Sequence, residues 1–134
     1  MRTVFALVAT MCAMALAKDP AEGWMAYATG LNPRCKNCPI YSAEAKWKVL
    51  DNPEVGGAFY SPWFGIETSD NLNLFQPVNP WTGYGWQMYV EYFQWEPMHN
   101  EDSQMADVQP GDELWGRVEF NAKAQVYHAT HTNM

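Results

Sequence analysis

From residue 43 to residue 49, apolar and polar positions alternate: Ala43, Ala45, Trp47 and Val49 fall on one side, Glu44, Lys46 and Lys48 on the other. A period of two belongs to a strand with one buried and one wet face. Residues 85–95 read as a longer strand with aromatic side chains on both faces, as expected of a central strand whose outer face lines a groove. Residues 114–120 and 123–132 read as two further strands joined by Asn121-Ala122. Turn formers recur about every ten residues, at Gly30, Asn32-Pro33, Asn52-Pro53, Gly56-Gly57, Asn79-Pro80, Gly83, Gly85 and Pro110-Gly111, which predicts an all-β sandwich or barrel. The acidic stretch 100–104 reads as an exposed loop. No amphipathic helix and no internal repeat is visible.

The only helix-length apolar run is at the N-terminus. Arg2, the run 3–16 and the small-x-small ending Ala15-Leu16-Ala17 read as a secretory signal over residues 1–17. The run is shorter than the ~20 residues that a membrane-spanning helix needs, so a cleaved leader is expected over an anchor. Residues 18–134 then form one β-sandwich domain of a secreted, extracellular protein.

Charge narrows the partners. Cleavage would remove Arg2 and take the net charge from -7 to -8, which argues against nucleic acid and against anionic membranes. Between Val49 and Gly116 there is no Lys or Arg and there are eleven acidic residues. Of the three cysteines, Cys12 lies in the leader, leaving Cys35 and Cys38 as a C-x-x-C. Pro33 and Pro39 flank the pair, so a structural disulfide is expected over a redox motif at a helix start. No further cysteine or histidine completes a zinc set. His128 and His131 differ by an odd number on one strand and face opposite ways, and His99 stands alone. No metal and no cofactor is expected.

Three stretches carry a resemblance. Trp63-Phe64-Gly65-Ile66-Glu67 is followed by Phe75-Gln76-Pro77-Val78, and later by Tyr92-Phe93-Gln94-Trp95-Glu96-Pro97. They resemble the active-site strands of the eqolisins, the fungal-type glutamic peptidases. In that family Trp-Val-Gly-Ile-Asp leads to a Leu-Gln whose glutamine polarises the scissile carbonyl, and Tyr-Glu-Trp-Tyr-Pro supplies the glutamate that activates water. Gly23-Trp24-Met25-Ala26, Ala43-Glu44-Ala45-Lys46-Trp47 and Pro110-Gly111-Asp112 match further family segments in the same order. The resemblance implies an antiparallel two-sheet sandwich of the jelly-roll, concanavalin-like kind. It also implies a chain shorter than the family domain at its C-terminal end, with an unpaired strand edge open to self-association.

Aligned on Trp95 and Pro97, the resemblance places Gln76 as the oxyanion donor and puts Gln94 where the family has its glutamate. An amide cannot accept a proton near neutral pH, so the general base is expected to be missing. Glu67 and Glu96 are the carboxylates that could replace it. Glu96 shares a face with Gln94 but lies about 6.6 Å farther along the strand, and Glu91, of opposite parity to Gln94, points to the other face. Trp63, Trp86 and Trp95 are expected to line the groove. The resulting expectation is a secreted groove that binds an extended peptide or glycan without peptidase activity. The alternatives are an acid-active glutamic endopeptidase using Glu67 or Glu96 with Gln76, and an acidic extracellular matrix component.

Overall fold

A computed structural model describes residues 26, 28–32, 34, 35, 38–57, 59–69 and 73–134. The expected leader 1–17, and the segment around Trp24, lie outside the described residues. Among the described residues there is no helix, and the chain is an antiparallel two-sheet sandwich. The strands are β1 (Ser42–Lys48), β2 (Ile66–Glu67), β3 (Asn73–Val78), β4 (Trp86–Trp95), β5 (Met98–Asp102), β6 (Ala106–Val108), β7 (Glu113–Asn121) and β8 (Val126–Asn133). One sheet runs in the order β1-β7-β8, the other β2-β3-β4-β5, with β6 also on β4.

The period-two segment 43–49 becomes β1, paired along its whole length with β7 from Ser42↔Glu119 to Lys48↔Glu113. Its alternation is therefore one of faces. Trp47 turns inward with Leu114 of β7, whereas Lys48 turns outward and pairs with Glu113 at 3.6 Å. Leu114 and Val118 are fully buried, and Leu114 joins Val49, Trp81, Trp86 and Val108 in the core.

The sheets approach closely at one point. A Cβ on Gly116 of β7 would lie 2.7 Å from the ring of Phe64 and 2.9 Å from Pro77 Cβ on β3, so only glycine lets the layers meet there. Gly116→Ala is expected to lower stability by about 1–3 kcal/mol through overpacking. The denaturant midpoint should fall accordingly. Gly85→Ala, where a Cβ meets nothing within 4 Å, should change it far less.

Asn79 ties the layers polarly. It is 1% exposed; its Oδ1 accepts from Trp47 Nε1 at 3.3 Å and its Nδ2 donates to the Gln87 carbonyl at 2.7 Å. The Asn79-Pro80 pair opens the connection from β3 to β4, and its asparagine is also a buried strap between β1 and β4.

The acidic stretch 100–104 departs from expectation. Residues up to Asp102 belong to β5, an exposed edge strand paired with β4 from Trp95↔Met98 to Glu91↔Asp102. A polar sequence misreads as a loop when a strand has water beside both faces. Cys35 and Cys38 are disulfide-bonded, with Cα atoms 5.2 Å apart.

Candidate functional site

The register of the larger sheet decides which side chains meet. Residues 63–67 run against β3, with Trp63↔Val78, Ile66↔Phe75 and Glu67↔Leu74. Strand β3 runs against β4 with Asn73↔Gln94, Leu74↔Phe93, Gln76↔Glu91 and Val78↔Tyr89. Because directly opposed residues of an antiparallel pair share a face, the sheet sorts its side chains into two sets. Phe64, Phe75, Pro77, Trp86, Met88, Tyr92 and Gln94 belong to the face turned toward β7 and β8. Trp63, Glu67, Leu74, Gln76, Val78, Tyr89, Glu91, Phe93, Trp95, Met98, Asn100 and Asp102 belong to the outer face.

Across the outer face the central row reads Gln76, Glu91, Asp102 over β3, β4 and β5. Gln76 Nε2 donates to Glu91 Oε2 in a short contact. Gln76 is only 6% exposed although it points outward, and its Oε1 is buried without a partner. Leu74 and Val78, its neighbours along β3, are also buried. These buried side chains share the outward face with the larger Trp63, Tyr89 and Phe93. Gly65 packs directly against Gln76: a Cβ there would lie 2.9 Å from Gln76 Cβ and 2.7 Å from the Phe75 carbonyl, so only glycine fits. Phe93 and Trp95 meet edge to face at 4.5 Å on the same side.

Burial sets the electrostatics. It raises the Glu91 pKa; the Asp102 charge pushes the same way, while hydrogen bonds from Gln76 and Asn100 oppose the rise. Burial raises the Glu67 carboxyl as well. Tyr89 is raised by burial and by the charges of Glu91 and Asp102. Glu91 therefore holds its proton more tightly folded than unfolded. Its contribution to stability is complete below the ordinary glutamate value of 4.5 and is lost as pH rises through the folded value. Glu91→Gln should accordingly raise the thermal midpoint at neutral pH, and the two proteins should converge in acid.

The expected site residues divide between the faces. Trp63, Glu67, Gln76 and Trp95 share the outer face with Glu91, and of these Gln76 touches it. Gln94 does not join them: it lies on the opposite face, donates to the Pro97 carbonyl at 2.9 Å and has the Tyr92 hydroxyl 3.0 Å from its Oε1. It fastens the β4–β5 hairpin. Glu96 is exposed in the turn of that hairpin. Trp86 is no groove residue either, being 2% exposed and packed against Trp81 in the core at 5.6 Å.

Glu91, Asn100 and Asp102 were not expected at the site. Parity along β4 correctly separates Glu91 from Gln94, and the missing fact was that Gln76 sits on the Glu91 side. That follows from the β3–β4 register, which residues 79–85 set with two β-bridges at Trp81 and a turn at Gly83. The available sequence signal was the triplet Glu91-Tyr92-Phe93, a glutamate followed by two aromatics, hidden by anchoring the alignment on Pro97.

A second concavity, of about 350 Å³, lies between residues 82–87 and 107–110. Its carboxylate, Asp107, accepts from Gln87 Nε2 at 2.9 Å, and among the lining residues there is no second carboxylate and no histidine, lysine or arginine. His131 turns inward against Trp47 and the Tyr89 carbonyl, and His128 turns outward. Among the described residues no group of three His, Cys, Asp or Glu is placed to hold a metal ion. Set against known proteins, the chain matches no family model, no curated protein and no solved structure.

Proposed function

We propose that the outer face of the β2-β3-β4-β5 sheet is the site of a glutamic-type peptidase that takes an extended peptide, with Glu91 as general base and Gln76 as oxyanion donor. The observation that carries this reading is the direct pairing of Gln76 with Glu91 on that face. The reason for expecting an inert groove was the amide at position 94, and that position is on the other face. The order of eqolisin-like motifs supports the same reading once the family glutamate is matched to Glu91 in place of Gln94.

In the proposed step, a water molecule attacks the scissile carbonyl carbon while Glu91 takes its proton. Gln76 Nε2, which donates to Glu91 in the free chain, turns its hydrogen bond to the oxygen that becomes negative. The proton on Glu91 then passes to the departing amine as the C–N bond breaks. A carboxyl whose pKa is raised by burial suits this two-way transfer in mildly acidic medium.

The test is cleavage of an unfolded protein by the purified chain from acid to neutral pH. Activity in acid, with Gln76→Ala reducing kcat by about 10²- to 10³-fold as loss of one oxyanion donor does, is the expected result. An inactive wild type would refute it. A second reading, binding of a peptide or glycan without hydrolysis, is favoured by the Phe93–Trp95 pair on the same face. Retention on a polysaccharide column without cleavage would select it.

The secreted, extracellular setting expected from residues 1–17 fits an enzyme that meets its substrates outside the cell. It is part of the proposal.

A further inference from the structure

The outer face is rich in acceptors and poor in donors. Glu67, Glu91 and Asp102 contribute carboxylates, and among the described residues none of them has a cationic partner. The nearby amide donors of Gln76 and Asn100 are already directed at Glu91. Gln76 Oε1, on a side chain 94% buried, lacks any donor. No Lys or Arg occurs between Val49 and Gly116, the stretch that builds this entire sheet. The cations of the other sheet stand on its far side: Lys48 pairs with Glu113 and Arg117 with Glu119, and Lys46 shares that outward face. What the face lacks is N–H donors with positive charge, and the ligand must bring them.

We propose that this face selects peptides bearing a lysine or arginine side chain, which Asp102 receives at the β5 edge with Glu67 adding to the field. The inference rests on the reading of the face as a peptide site and names the substrate class. Asp102 lies directly across from Glu91, so a cation held there leaves Glu91 to the water. One row along the same face Phe93 offers apolar surface for the methylene stem of the bound side chain, and Trp95 and the exposed Met98 extend that surface a further row away. The ammonium or guanidinium completes a charge-assisted hydrogen bond to the carboxylate.

The experiment uses synthetic unfolded peptides identical except for one residue, Lys, Arg, Ala or Glu, placed in turn along the sequence. Cleavage is measured with wild type, and binding is measured with Glu91→Gln so that it is read without turnover. At the favoured position Lys and Arg should exceed Glu by about tenfold in affinity and in 1/KM, the order of one charge-assisted contact, with kcat little changed. The preference should shrink with added salt. Asp102→Asn, a change at an exposed position, should remove most of it. Equal handling of Lys and Glu peptides, or a preference untouched by Asp102→Asn, overturns the proposal. The two failures are distinguishable. Cleavage without charge preference leaves hydrolysis standing and removes this inference, whereas charge-selective binding without any cleavage does the reverse.

Discussion

Glu91→Gln is expected to reduce peptide-bond hydrolysis by 10²- to 10⁴-fold, about what a positioned proton-transfer group contributes. The substitution keeps the shape of the side chain and its place opposite Gln76. It removes only the capacity to take a proton. Folding is not at risk, since the change leaves a neutral group where burial already favours one. The loss should appear in kcat with little change in KM. Glu96→Gln, in the exposed hairpin turn, should behave as wild type, and Glu67→Gln should alter KM before kcat because Glu67 lies one row away from Gln76. A kinetic series measured at one acid pH distinguishes the three carboxylates.

Asn79→Ala is the stability change with the largest expected effect. It would leave both the Trp47 indole N–H and the Gln87 carbonyl without the partners they have now. An unsatisfied buried polar group costs about 1–3 kcal/mol, and two are created at once in a site that is 1% exposed. Total losses of about 2–6 kcal/mol would consume much of the stability of a small domain. Denaturant titration measures the loss directly. Asn79→Asp should also destabilise, because it keeps the acceptor for Trp47 and loses the donor to Gln87. A variant as stable as wild type would mean that the strap between the layers carries no energy.

The fold was legible because β1, β4, β7 and β8 write their periodicity or length plainly into the chain. Alternation at 43–49 and the aromatic run ending at Trp95 need only local geometry to be read. The site was half legible for the same reason. Gln76 and Glu67 follow from motif order, and the face of each residue on β4 follows from parity. What parity along one strand cannot supply is which face of the neighbouring strand it meets. The residues joining Val78 to Trp86 decide that, and a shift of one residue would set Gln76 opposite Val90 or Tyr92, on the face that carries Gln94 and away from Glu91. Trp86 was misplaced for a related reason: aromatic character looks the same on a core face and on a groove face, and Val108 on β6, which closes over it, is a tertiary partner. The exposed strand β5 was hidden because edge strands are free to be polar on both faces.

The register of β3 against β4 is therefore the point on which the functional account turns. It is tested most directly by the rate of hydrolysis of an unfolded substrate in acid by the double variant Glu91→Gln/Gln94→Glu, measured beside wild type. The account predicts an active wild type and a double variant as inactive as Glu91→Gln alone, since a carboxylate at position 94 faces away from Gln76. Recovery of activity in the double variant, or silence in the wild type, would contradict it.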